Sequence, residues 1–133
     1  MARWYELADN PKAITELYET VPALERLDLH ELLLHRDGPR LTLKANLYPF
    51  PEIPPDRWVR NGFNRVIIQL DFWGVQSVSI SGWSTEIVID IEIERINSEE
   101  ISVLAKPREG DSYFSFVCQD FSIARVAGYM AEQ

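Results

Sequence analysis

The second half of the sequence consists of short stretches in which apolar and polar residues alternate, separated by residues that favour turns. The turns are marked by Gly74, Gly82, Asn97-Ser98, Glu109-Gly110-Asp111 and Gln119-Asp120. A period of two is typical of β-strands with one buried face. Strands joined by such short turns must mostly be antiparallel neighbours, because a parallel crossover needs a dozen or more residues. The sequence predicts strands at about 75–81, 85–96, 99–106, 112–118 and 121–127.

The first half predicts a β-hairpin followed by a further strand. The hairpin turn is at residues 37–39, Asp-Gly-Pro, and the second arm places alternate residues of 41–47 on one apolar face. The first arm changes phase between Leu29 and Leu32, which predicts a bulge or a strong bend. The alternating stretch NRVIIQLDFW then predicts a strand whose inward face is apolar.

An N-terminal helix is predicted over about 10–21. Asn10 and Pro11 are typical of an N-cap and a first helical residue, and apolar residues follow at helical spacing from Ile14. Pro22 would end this helix. The segment PFPEIPPDRWVRNG has four prolines before Trp58, so it is predicted to be an extended connection, held on the protein body by its apolar side chains.

These elements predict a mainly β fold, borderline α+β, in a single domain over residues 1–133. With 46% hydrophobic residues the chain has enough apolar material for a core. The expected architecture is one antiparallel meander of about eight strands, from about residue 24 to 127, with one helix. It would form a curved sheet or a compact sandwich.

The net charge of −8, from 21 acidic and 13 basic residues, limits the partners of this chain. Such a field repels nucleic acids and anionic membranes and attracts basic proteins. No apolar run approaches the roughly 20 residues of a membrane helix, and the N-terminal MARWYELADN lacks the apolar core of a signal peptide. We therefore expect a cytoplasmic protein that binds neither nucleic acid nor membrane directly.

The sequence lacks the common motifs for nucleophilic catalysis and phosphate binding. His30 and His35 lie near Asp28 and Glu31, but nothing else has metal-ligand spacing, so we expect no metal and no cofactor. Cys118 is alone in a strand-like segment, where a small buried hydrophobe is favoured over a reactive thiol. The four tryptophans suit core packing better than a stacking platform.

The stretch STEIVIDIEIER places isoleucines on one strand face and acids on the other. We call the acids of this stretch and of the following turn the acidic row: Glu86, Asp90, Glu92, Glu94, Glu99 and Glu100. Asp90, Glu92 and Glu94 are similar to the catalytic E-x-D-x-E strand of family 16 glycoside hydrolases, although Val88 replaces the first glutamate. The row is either a solvated face neutralised by Lys106 and Arg108, a surface for a basic partner, or a catalytic strand.

The order of landmarks along the chain is similar to a known family. VPALERLDL, the hairpin LLLHRDGPRLTLKANL, FPEIPPDRW, NGFNRVIIQLDFWGV and the turn SGW follow one another from about Trp4 to Tyr129. In this the chain resembles immunity protein family 50 of bacterial polymorphic toxin systems. The resemblance implies a non-catalytic cytoplasmic protein that binds and neutralises a cognate toxin, and it transfers no site residues.

We expect a basic toxin to bind the acidic row, since many such toxins act on nucleic acids through basic surfaces. The Pro-rich segment, with Glu52, Asp56 and Trp58, is a second candidate contact region, because exposed aromatic residues are strong interface anchors. A small carbohydrate-active enzyme using Asp90, Glu92 and Glu94 and a structural domain of a larger assembly are the alternatives.

Overall fold

The computed structural model describes residues 3–131, and within them one β-sheet dominates. A 3-10 helix, Trp4–Leu7, precedes two short helices, α1 (Lys12–Thr15) and α2 (Asp56–Arg60). The strands are β1 (Leu27–His35), β2 (Arg40–Leu47), β3 (Arg65–Trp73), β4 (Gln76–Ser81), β5 (Val88–Arg95), β6 (Ile101–Glu109), β7 (Tyr113–Cys118) and β8 (Asp120–Tyr129). The prediction of a mainly β fold with about eight antiparallel strands is confirmed.

The strand order is β4-β7-β6-β5-β1-β2-β3-β8, and every neighbouring pair is antiparallel. The predicted meander holds for β1 to β3 and for β5 to β7, which are joined where β1 pairs with β5. It is wrong for β4 and β8, because β4 leaves β3 to pair with β7, and β8 leaves β7 to pair with β3. The backbone N–H of Gln119 donates to the carbonyl of Trp73 at 2.9 Å. The ends of β3 and β7 therefore meet, and the chain crosses between the halves of the sheet there.

The sheet is strongly curved and remains open, with β4 and β8 as its edges. Phe72 on β3 and Phe116 on β7 have ring centroids 4.9 Å apart, although their strands are five positions apart in the sheet. In a flat sheet with about 4.8 Å between neighbouring strands, this separation would be about 24 Å. The two halves of the sheet therefore face each other across a shared core. Curvature is assisted by the predicted bulge in β1, which lies between Leu29 and Glu31.

The core consists of the inward-facing residues of these strands, as their alternation predicts. The four isoleucines at 87, 89, 91 and 93 are all buried, as are Val66, Ile68, Leu70 and Phe72 on β3. Trp4, Ile14 and Tyr18 of the N-terminal segment pack onto the same cluster.

The predicted helix over 10–21 is wrong in its length, because α1 has only four residues. Its apolar residues do enter the core, but the backbone beyond Thr15 is bound to another part of the chain. The carbonyl of Leu17 accepts a hydrogen bond from the N–H of Ile53 at 3.2 Å, and the hydroxyl of Tyr18 donates to the carbonyl of Pro49. A single short helix is marginal in water, so these tertiary contacts prevail.

The Pro-rich connection is not extended throughout, because α2 begins directly after Pro55. The prolines precede the helix, where a missing N–H costs nothing, so they fix its start. Trp58 anchors the connection as predicted and is 3% exposed, whereas Ile53 is exposed.

Candidate functional site

Three acids of the acidic row, Asp90, Glu92 and Glu94, lie on the face of β5 opposite the buried isoleucines, while Glu86 precedes the strand and Glu99 and Glu100 follow it in the turn before β6. Glu86, Glu92, Glu94 and Glu99 are exposed, and Asp90 and Glu100 are partly exposed. The predicted alternation of β5 is therefore confirmed. Asp90 and the glutamates beyond it differ, however, in how they are neutralised.

Asp90 is held by two groups of the protein itself. Its Oδ1 accepts a hydrogen bond from Arg108 Nε at 2.8 Å and another from the backbone N–H of Arg26 at 3.0 Å. The hydrogen bond from Arg108 lowers the pKa of the Asp90 carboxyl, and the Arg26 N–H acts in the same direction. Arg26 has a φ of 54°, a conformation that non-glycine residues rarely adopt. Asp90 therefore stabilises this bend of the backbone before β1.

The remaining acids of the row carry less compensation. Glu92 lies 3.6 Å from Lys106 Nζ, and both side chains are more than half exposed. Glu100 accepts a hydrogen bond from the Asn97 side chain at 2.9 Å. Within residues 3–131, Glu86, Glu94 and Glu99 form no ion pair within 4.0 Å. Neutralisation by Lys106 and Arg108 is thus real but covers only the middle of the row.

A groove of about 370 Å³ adjoins the row on the side of β5 that faces β1. We call it the β5 groove. Its walls are the side chains of Trp4 and Leu7, the segment at Ala23 and Leu24, and residues 91–95 of β5. Glu92 and Glu94 belong to both the groove and the acidic row. Apolar walls and two exposed carboxylates, of which Glu94 has no ion pair within residues 3–131, therefore meet along one short stretch of strand.

Comparison with known proteins identifies the family. The model of a family described as Immunity protein 50 matches residues 10–129, which is most of the chain. The chain belongs to the Immunity protein 50 family. No match was found among curated proteins or among solved structures. The family description indicates a toxin-neutralising function and hence a toxin as binding partner.

In this Immunity protein 50 member, the Pro-rich region differs from the predicted contact surface. Trp58 is buried and cannot act as an exposed anchor, because its ring packs against Phe50 and Gly128. Glu52 accepts a hydrogen bond from the backbone N–H of Glu19 at 2.8 Å, so part of its capacity is used internally. Asp56 is exposed at the start of α2. Of the three predicted contact residues of this region, Glu52 and Asp56 therefore remain available to a partner and Trp58 does not.

Other candidate chemistry in the family member is sparse. No cluster of three or more metal-ligating side chains is found in residues 3–131, and His30 contacts Asp28 only as an exposed pair at 3.9 Å. Cys118 is buried as predicted, and burial raises the pKa of its thiol to about 12. The predicted core packing of the tryptophans is confirmed for Trp4 and Trp58, which are buried, and is wrong for Trp73 and Trp83, which are exposed. No helix within this part of the chain is long and apolar enough to cross a membrane.

The β5 groove was not predicted from the sequence of this Immunity protein 50 member. Trp4 and Leu7, which form one of its walls, precede the residues matched by the family. The groove forms because β1 pairs with only the first part of β5. This pairing joins residues that are distant in sequence, so local patterns do not predict it. The signals available in the sequence were Pro22, which has no N–H for a sheet, and Trp4, whose indole needs an acceptor.

Proposed function

We propose that this protein neutralises a basic cognate toxin in the cytoplasm by binding it through the acidic row, and that it has no catalytic activity of its own. The observation that supports this most directly is the group of exposed acids without ion pairs, Glu86, Glu94 and Glu99. Glu94 is also the same-face neighbour of Glu92 on β5, about 7 Å along the strand, and a basic partner would relieve the repulsion between these two carboxylates. The net charge of −8 would also accelerate the encounter with such a partner.

A nuclease is the first toxin class to test. Enzymes that act on nucleic acids need positive surfaces for phosphates, and an acidic inhibitor matches such a surface. The acidic row would then occupy the position of the nucleic-acid backbone. Glu52 and Asp56 are a second acidic contact region in this proposal, without Trp58.

The absence of catalytic activity is supported by the state of Asp90. A retaining glycosidase needs one carboxyl with a raised pKa as its general acid. Arg108 instead lowers the pKa of Asp90, and Glu92 lies beside Lys106. These contacts suit a structural carboxylate and a partly screened surface acid.

The experiment begins with capture of the toxin by the purified protein from a lysate of its source, with a high-salt wash as control. The captured toxin domain is then purified, and its association with the protein is followed by stopped-flow fluorescence at several salt concentrations. Glu94→Lys should lower the association rate by about tenfold or more at low salt, with little effect at high salt. The neutralisation of toxin activity should weaken in parallel.

The matched control is Glu16→Lys, which makes the same charge change in the turn after α1. If Glu16→Lys slows association as much as Glu94→Lys does, net charge acts without a defined surface, and the role of the acidic row is wrong. If no toxin is captured or neutralised under conditions that recover known weak complexes, the proposed function fails.

A further inference from the structure

One edge of β5 lacks a neighbouring strand over its second half. β1 pairs with β5 only through Leu27 with Ile89 and Asp28 with Val88. The last backbone contact on this side is the N–H of Ile91, which donates to the carbonyl of Leu24 at 2.8 Å. On its other side, β5 is paired with β6 as far as Arg95. The open edge therefore begins just beyond Ile91.

The alternation of backbone groups identifies which of them face the β5 groove. Along an antiparallel strand, the N–H and C=O of one residue point to one neighbour and those of the next residue to the other. Ile87 and Ile91 both bond on the β1 side, so Ile93 points the same way. Within residues 3–131, no backbone group pairs with Ile93 on this side. The N–H and C=O of Ile93 therefore face the groove and have no strand partner there among the described residues.

The segment before β1 cannot close this gap. Pro22 has no N–H, and its carbonyl accepts a hydrogen bond from Trp4 Nε1 at 3.0 Å. Arg26, with its positive φ, bends the chain where β1 begins, and Asp90 holds that bend. The Pro22 carbonyl, the Trp4 indole and the Arg26 N–H are therefore engaged in other hydrogen bonds, which leaves the edge beside Ile93 open.

The surroundings of the open edge indicate which chain would fit. The groove offers the apolar surfaces of Trp4, Leu7 and Ala23 on one side. Glu92 and Glu94 stand on the outward face of the same strand, and Glu94 has no ion pair within residues 3–131. A second copy of this chain would place its own Glu92 and Glu94 against these acids, which like-charge repulsion disfavours.

We propose that the cognate toxin inserts an extended segment into the β5 groove as an added β-strand beside Ile93. This inference rests on the proposed function and specifies the contact. Backbone hydrogen bonds to Ile93 would supply affinity, and alternate apolar side chains would enter the groove while basic ones meet Glu92 and Glu94. The partner segment thus has apolar and basic residues in alternation.

The test uses amide NMR with two synthetic peptides, one alternating valine with lysine and one alternating valine with glutamate. In the free protein, the amide of Ile93 should exchange as an unprotected amide, whereas that of Ile91 should be protected. The lysine peptide should shift the amides of Ile93 and Arg95 and the indole of Trp4, and the glutamate peptide should leave them unchanged. Shifts confined to the turn at Glu99 and Glu100, or no shifts at millimolar peptide, would overturn the proposal.

A variant that fills the groove separates this inference from the proposed function. Ala23→Trp should abolish the peptide shifts and weaken toxin binding, while Ala124→Trp, the same change at an exposed alanine of β8, should do neither. If the toxin still binds Ala23→Trp normally but loses affinity for Glu94→Lys, the acidic row acts without strand addition and the inference is wrong. If the toxin binds neither the wild type nor the variants, the proposed function fails with it.

Discussion

The side chain of Asn10 forms two hydrogen bonds with the backbone of Ile123, the same two that a neighbouring strand would form. Its Oδ1 accepts from the Ile123 N–H at 2.8 Å, and its Nδ2 donates to the Ile123 carbonyl at 2.9 Å. The backbone N–H of Asp9 donates to the carbonyl of Phe121 at 2.9 Å beside it. An uncovered edge strand invites pairing with other chains. The N-terminal segment therefore blocks part of the β8 edge and ties itself to the sheet.

Replacing Asn10 should destabilise the protein through this contact. Asn10→Ala leaves the N–H and C=O of Ile123 without their partners in a partly buried position, so the free energy of unfolding should fall by about 1–3 kcal/mol. Denaturant titration measures the change, with Asn61→Ala at the exposed end of α2 as the matched control. Equal effects of the two substitutions would show that Asn10 contributes no more than a surface asparagine.

The role of Asn10 in the structure differs from the one that its local sequence predicted. Its position before Pro11 predicted a helix N-cap, and the same polarity that suits a cap serves instead to bind a distant strand. A residue 113 positions away in sequence decides between the two uses. Local patterns do not contain that information.

The β-strands were more predictable because their signal is local. The alternation in β3 and β5 correctly gave the buried face of each, and the change of phase in the first hairpin arm correctly gave the bulge after Leu29. The strand order was not predictable in the same way. The crossings after Trp73 and Cys118 depend on the curvature of the whole sheet, and the short pairing of β1 with β5 sets the β5 groove.

Gly128 should resist substitution because Trp58 packs directly against it. A Cβ at position 128 would lie 2.7 Å from Trp58 Cδ2 and 2.9 Å from Phe63 Cδ2. Gly128→Ala should therefore lower the free energy of unfolding by about 1–3 kcal/mol. In a double-mutant cycle measured by denaturant titration, Trp58→Phe should cost less in the Gly128→Ala background than in the wild type. Strictly additive costs would mean that the two residues do not contact each other as described.

Cys118 should be inert in the folded protein. Burial raises the pKa of its thiol to about 12, with a smaller contribution from Asp120, so almost no thiolate forms at neutral pH. A chromogenic thiol reagent should react only after denaturant unfolds the chain. Ser79→Cys on the exposed strand β4 provides the control, since its new thiol should react at once. Rapid labelling of native wild-type protein would mean that Cys118 is accessible.

The bond between Asp90 and Arg108 should make stability depend on pH at the acidic end. Because Arg108 holds the folded-state pKa of Asp90 below its ordinary value of 3.8, the charged carboxylate stabilises the folded state at all higher pH values. That contribution is lost as the pH falls through the lowered folded-state pKa. Asp90→Asn keeps an oxygen for the Arg26 N–H but removes the charge, so it should be less stable than the wild type at neutral pH.

The difference in unfolding free energy between wild type and Asp90→Asn should then shrink on acidification below pH 3.8 and become smaller in high salt, because the pair is partly exposed. Denaturant titrations across pH and salt test this, with Glu16→Gln as the control for neutralising an exposed acid. A difference that stays constant from neutral to strongly acidic pH would assign the effect to side-chain shape. In that case Asp90 would hold Arg26 through its hydrogen-bond geometry alone, and charge would play no part in maintaining the bend beside the β5 groove.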